Sequence, residues 1–172
     1  SSNIAVDFSG SEVDIQNIFI NTAGDKGISL GESSYVKAGE IKIQNVKIGI
    51  ASKDLSELIG KDIDILDSKI GLAVYQKKSE FGPGAMTIKG LSMEKVSIPY
   101  YVEEQSTLIV NERIIEPSEK NVKEIELLIS INTNSCSRAV CEFCSSMLEQ
   151  MGVNIEDVTG TSKLARAVAK WK

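Results

Sequence analysis

Three short segments, Gly27-Ile28-Ser29-Leu30, Gly49-Ile50-Ala51-Ser52 and Gly71-Leu72-Ala73-Val74, begin 22 residues apart twice in succession. The period extends backwards onto Ala5-Val6-Asp7-Phe8 and, after an insertion, forwards to Ile98-Pro99-Tyr100-Tyr101-Val102. A unit this short cannot bury its own apolar side chains, so it is stable only when stacked on copies of itself. The repeat is therefore a statement about architecture, not about catalysis.

Within each unit, short alternating runs are separated by polar breaks: Ile4-Ala5-Val6-Asp7-Phe8, Val13-Asp14-Ile15 and Ile18-Phe19-Ile20, then Ile28-Ser29-Leu30, Ile41-Lys42-Ile43 and Val46-Lys47-Ile48. Ile63-Asp64-Ile65 and Ser68-Lys69-Ile70 continue the pattern. Alternation marks half-buried strands, and three short strands per turn, in constant phase, predict the coils of a parallel β-helix. Ile28, Ile50 and Leu72 should then form one vertical apolar ladder. Lys42, Gln44, Lys47, Asp62, Asp64 and Lys69 should point to solvent. The glycines Gly27, Gly49 and Gly71 mark positions that a Cβ would crowd or that need positive φ. Asn17 and Asn45, each before an apolar strand, read as equivalent turn residues that stack on neighbours.

Composition narrows the function classes. The chain has 172 residues, 42% of them apolar, enough for a continuous core. Lys plus Arg number 19 against 24 Asp plus Glu, a formal charge of -5, and the two signs are mixed, so no nucleic-acid groove is advertised. Histidine is absent, which removes the usual general base and the commonest neutral metal ligand. The longest apolar runs, such as Leu127-Leu128-Ile129, are far short of a membrane span. A soluble protein is expected, and a repeat already under way within a few residues of Ser1 is what a piece of a longer stack would show.

The regular spacing fails between Val74 and Ile98, where Gln76-Lys77-Lys78-Ser79-Glu80-Phe81-Gly82-Pro83-Gly84 reads as a projecting loop. Because function often sits on excursions from a rigid scaffold, Tyr75, Lys77, Lys78, Glu80 and Phe81 are candidate contacts for a small ligand or glycan. The bland alternative is a loop that only packs over one face. Tyr100 and Tyr101 would widen the same surface or cap the interior.

The stretch from about Gly24 to Val110, carrying Gly24-Asp25-Lys26-Gly27-Ile28-Ser29, Gly49-Ile50-Ala51-Ser52-Lys53-Asp54 and Gly71-Leu72-Ala73-Val74-Tyr75-Gln76-Lys77-Lys78, resembles the right-handed parallel β-helix repeats of the pectin-lyase-like superfamily. It is most similar to bacterial surface or secreted members that carry such repeats as a nonenzymatic module. The resemblance implies a polysaccharide or a neighbouring domain of a longer chain as partner. It also leaves an inactive relative of polysaccharide lyases as an alternative, since that superfamily holds lyases, hydrolases and plain scaffolds. Asp54, Asp62, Asp64 and Asp67 come close in sequence, but their alternation reads as a solvated face.

Past Asn111 the phase changes. Pro117 lies in a linker over 116–121, and 122–172 reads as strand, helix, strand, helix, a small C-terminal α/β module that docks on or caps the β-helix of 1–115. All the cysteines fall here: Cys136, Cys141 and Cys144. At a helix start, the Cys141-Glu142-Phe143-Cys144 pair could bind zinc, exchange disulfides or form one structural disulfide. Strand, CxxC and helix together also resemble the second half of the zinc-dependent deaminase fold, in which Cys141 and Cys144 would match the zinc thiolates. Val140 stands where that family has proline, however, and no His-x-Glu or Cys-x-Glu element lies upstream.

The sequence thus predicts a mainly β protein, a right-handed parallel β-helix with a small C-terminal α/β module. The expected role is a noncatalytic scaffold or glycan-binding module, extracellular or on a bacterial cell surface, with no cofactor required and zinc at Cys141 and Cys144 as the candidate exception. Part of a zinc-dependent deaminase is the alternative.

Overall fold

The computed structural model describes residues 3–118. The chain divides into units Ser1–Val122 and Lys123–Lys172, and the described residues belong to the first. The expected α/β module, its helices and its cysteines lie outside them. The described residues contain no helix.

Eight strands form one sheet: β1 (Val6–Ser9), β2 (Glu12–Ile20), β3 (Lys26–Gly31), β4 (Tyr35–Lys53), β5 (Glu57–Tyr75), β6 (Ala85–Val102), β7 (Thr107–Val110) and β8 (Arg113–Ile114). The path runs β1-β3-β4-β5-β6-β7-β8, with β2 also on β4, and every pairing is parallel except β7 with β8. Partners are 22 residues apart from β4 to β5, as in Tyr35↔Glu57, and 28 apart from β5 to β6, as in Glu57↔Ala85. The six additional residues are taken up between Tyr75 and Ala85. This is a parallel β-solenoid with a repeat of about 22 residues, consistent with the parallel β-helix fold.

The core is a set of vertical ladders. Val6, Ile28, Ile50, Leu72 and Tyr100 stand in one column, and Ile28, Ile50 and Leu72 are at most 1% exposed. Ile41 and Ile63 form a second column, and Ile43 and Ile65 a third. Full burial of each such side chain contributes roughly 1.5–3 kcal/mol, and part of that burial comes from the coils above and below.

The strands are longer than the short runs predicted. β4 and β5 each continue for 19 residues, because one residue in the left-handed region turns the chain without ending the ladder. Asn45 (φ 54), Asp67 (φ 55) and Lys95 (φ 54) occupy that corner on successive coils. Asn17 is not their equivalent, since it pairs with Glu40 inside β2. Sharper turns use two such residues, Glu32 with Ser33 and Asp54 with Leu55.

Gly27, Gly49 and Gly71 are strand residues without positive φ; close stacking explains them. A Cβ on Gly49 would lie 2.6 Å from the Gly71 carbonyl oxygen and 2.8 Å from Ile65 Cδ1, and one on Gly27 would lie 2.7 Å from the Gly49 oxygen. At the sharp turn a hydroxyl column ties successive coils. Ser11 N–H donates to Ser34 Oγ (3.2 Å), Ser34 N–H to Ser56 Oγ (3.1 Å) and Gly84 N–H to Ser106 Oγ (3.2 Å). At the far end, β8 folds back antiparallel on β7 and occupies part of that edge.

Candidate functional site

The insertion after Tyr75 is held down from several sides. Asp54, 1% exposed, accepts hydrogen bonds at Oδ1 from the backbone N–H groups of both Lys77 and Lys78, each at 2.7 Å. Glu103 Oε2 accepts from Gln76 N–H at 2.6 Å. The Gln76 amide donates to the carbonyls of Lys78 and Phe81, and Leu55 N–H donates to Gly82 O at 2.9 Å. Lys78 is ion-paired with Glu32, which also accepts from Ser9 Oγ. These bonds hold the Glu32 carboxyl below its ordinary range, Lys78 contributing more than Ser9, and the same bond raises Lys78.

This arrangement separates the loop candidates from one another. Tyr75 is buried at 3% exposure and Tyr101 at 2%, so neither phenol belongs to an open surface, and Tyr100 continues the Leu72 column. Lys77 and Glu80 are exposed, Lys78 and Phe81 half-buried, with the Lys78 ammonium 5.9 Å from the Phe81 ring centroid. Asp54 is no part of a solvated face: its carboxylate organises the loop. Asp62, Asp64 and Asp67 are exposed as expected.

A groove lies elsewhere, on the outward side of the strand segment that follows Gly39. Phe19, Lys42 and Asp64 occupy one outward column on successive coils. With Asn21, Gln44 and Leu66 they line an open groove of ≈ 330 Å³. Phe19 is 66% exposed, while its neighbours Ile18 and Ile20 face the core. Lys42 Nζ lies 5.5 Å from the Phe19 centroid and 2.6 Å from Glu40 Oε1. The Glu40 carboxylate, and to a smaller extent Asp64, hold Lys42 above the ordinary lysine range. The Gln44 amide donates to Asn21 Oδ1, and the Asn45 amide donates to Asn21 O at 3.2 Å. Sequence reasoning passed over Phe19, although the signal was present: in Ile18-Phe19-Ile20 strict alternation puts an aromatic ring outside.

One aromatic face flanked by amides, carboxylates and an ammonium can stack on the apolar face of a ring while exchanging hydrogen bonds with hydroxyls around its edge. The zinc expectation at Cys141 and Cys144 is corrected. Among the described residues no group of His, Cys, Asp or Glu is placed to hold a metal ion, and the one buried carboxylate, Asp54, accepts from two backbone amides instead. Cys136, Cys141 and Cys144 lie outside the described residues. The described residues offer no metal site and so give no support to a zinc-dependent deaminase. No described helix is long and apolar enough to cross a membrane.

The fold defines the class: a rigid β-solenoid scaffold of the kind found in binding and structural proteins. Comparison with family models, with curated proteins and with solved structures found no match.

Proposed function

We propose that this chain is a noncatalytic scaffold that presents a glycan-binding face, as a module of a bacterial extracellular or cell-surface protein. The observation that carries the reading is Phe19, a large apolar side chain left 66% exposed that lines a mostly apolar groove with amide, ammonium and carboxylate groups at its edge; Leu55 and Ile114 are also exposed, but neither lines that groove. The outward columns of β2, β4 and β5 supply hydrogen-bonding groups at the interstrand spacing of about 4.8 Å, and the parallel pairing of β2 with β4 and of β4 with β5 keeps those columns in register. The resemblance of the repeats to those of secreted and surface β-helices supports the extracellular setting. Labelling of intact source cells by an antibody against the solenoid tests that setting; labelling only after lysis would remove it.

Binding is tested by titrating the full chain with soluble cello- and chito-oligosaccharides and by pull-down on cellulose and chitin. Phe19→Ala is expected to weaken binding at least about tenfold, the loss of one stacked aromatic contact and its buried area, with an unchanged melting curve because the ring is outside the core. Binding that survives Phe19→Ala but is lost in Phe81→Ala would move the site to the loop, and no binding by the unaltered chain would remove the proposal.

A further inference from the structure

We infer that a second groove, around Tyr35, is a subsite for the same ligand, so that the glycan is an uncharged oligomer lying along β2 and β4; this rests on the reading of the Phe19 groove. The second groove, also ≈ 330 Å³ and open, is lined by Glu12, Val13, Asp14, Tyr35 and Lys37. Register sets Glu12 beside Tyr35 and Asp14 beside Lys37, and the Lys37 ammonium lies 5.5 Å from the Tyr35 centroid.

The chemistry of the Phe19 groove is thereby repeated: one aromatic ring, one ammonium against it, and carboxylates close by. Core packing does not demand the repetition. The inward residues of this segment are Val36 and Ala38, 1% and 5% exposed, whereas Tyr35 and Lys37 alternate outward and are free to be any polar residue.

Both grooves draw on β2 and β4, on either side of Gly39, and the Phe19 groove also takes in Asp64 and Leu66 of β5. A Cβ there would lie 2.5 Å from the Gln16 carbonyl oxygen, so β4 carries no side chain at the point between them. From Tyr35 to Lys42 is seven residues, at most about 23 Å along a strand, and the two grooves share no lining residue, so the ligand length at which both are filled is what a length series reads. Charges along this path are interleaved: Glu12, Asp14, Lys37 and Glu57 around the first ring, Glu40, Lys42, Lys61, Asp62 and Asp64 near the second. A polyanion would be repelled by the six carboxylates of this path and a polycation by its three ammoniums, whereas an uncharged chain of hydroxyls meets no like charge.

Titration of the full chain with cello- and chito-oligosaccharides from disaccharide to hexasaccharide tests the inference. The unaltered chain should bind more tightly as the ligand lengthens, because the second contact becomes intramolecular. Tyr35→Ala should lower hexasaccharide affinity about tenfold and leave the disaccharide unchanged. Lys37→Glu, an exposed substitution that cannot disturb the core, should act in the same direction. If both variants keep the original length dependence while Phe19→Ala loses binding, the subsite is wrong and the Phe19 reading stands. If the unaltered chain binds none of these ligands, both fall.

Discussion

The backbone N–H of Ser34 donates to Ser56 Oγ, 3.1 Å away on the next coil, and Ser34 Oγ in turn donates to the Gly31 carbonyl at 2.7 Å. Ser34 and Ser56 are each 1% exposed, so water cannot replace either partner. Ser56→Ala should therefore leave a buried amide without an acceptor and destabilise by about 1–3 kcal/mol, read as a lower urea midpoint at unchanged slope. An unchanged midpoint would show that the hydroxyl column contributes nothing.

Gly49→Ala places a methyl against the backbone oxygen of Gly71, which no rotamer change can relieve. We expect a cost of about 3 kcal/mol, at the upper end for overpacking. Gly31→Ala is the control: its Cβ would meet Lys53 Nζ at 2.7 Å, the end of a flexible side chain, so the effect should be less than about 1 kcal/mol. Equal losses in thermal or urea unfolding would mean that the glycine column is not a packing requirement.

Asp54→Ala removes the acceptor shared by Lys77 N–H and Lys78 N–H. Bonds of this kind to a charged group are worth about 1.5–3 kcal/mol each, so segment 76–84 should exchange its amide hydrogens faster and be cut sooner by protease. Asp54→Asn keeps an oxygen at the same place and tolerates the positive φ of 56, so it should restore most of the protection. Unaltered exchange in Asp54→Ala would show that the loop is held by its other contacts alone.

Acid should loosen the same loop. Glu32 is held below its ordinary value of 4.5 by Lys78 and then Ser9, so this contribution is fully present above pH 4.5 and is lost as pH falls through the lowered value. Lys78, raised above 10.5, loses the contact only as pH rises through the raised value, so the pair is intact between. Exposure keeps the effect small. A carboxyl titration by NMR should find the Glu32 midpoint depressed, and Lys78→Met should return it to the ordinary range; no difference between the two proteins would dismiss the pairing.

Much of the solenoid was legible in the residues. Identical phase in Gly27-Ile28, Gly49-Ile50 and Gly71-Leu72 specified the parallel register, and the broken spacing after Val74 located the insertion. What alternation could not reveal is that one outward flank is itself buried: Ser29, Ala51, Ala73 and Tyr101 form an outward column, yet each is at most 2% exposed. For the same reason Tyr75 looked like a ligand contact and is packed away.

Local sequence, then, determined the coil, its period and the sidedness of each strand, because a two-residue period and stacking of like on like are properties of short segments. Tertiary structure decided which polar and aromatic groups remained available. Asp54 was drawn inward by two amides 23 and 24 residues away. Phe19 and Lys42, likewise 23 residues apart, became neighbours across adjacent coils. Such pairings depend on how one coil lies over the next, and no window of sequence shorter than a full coil contains both partners.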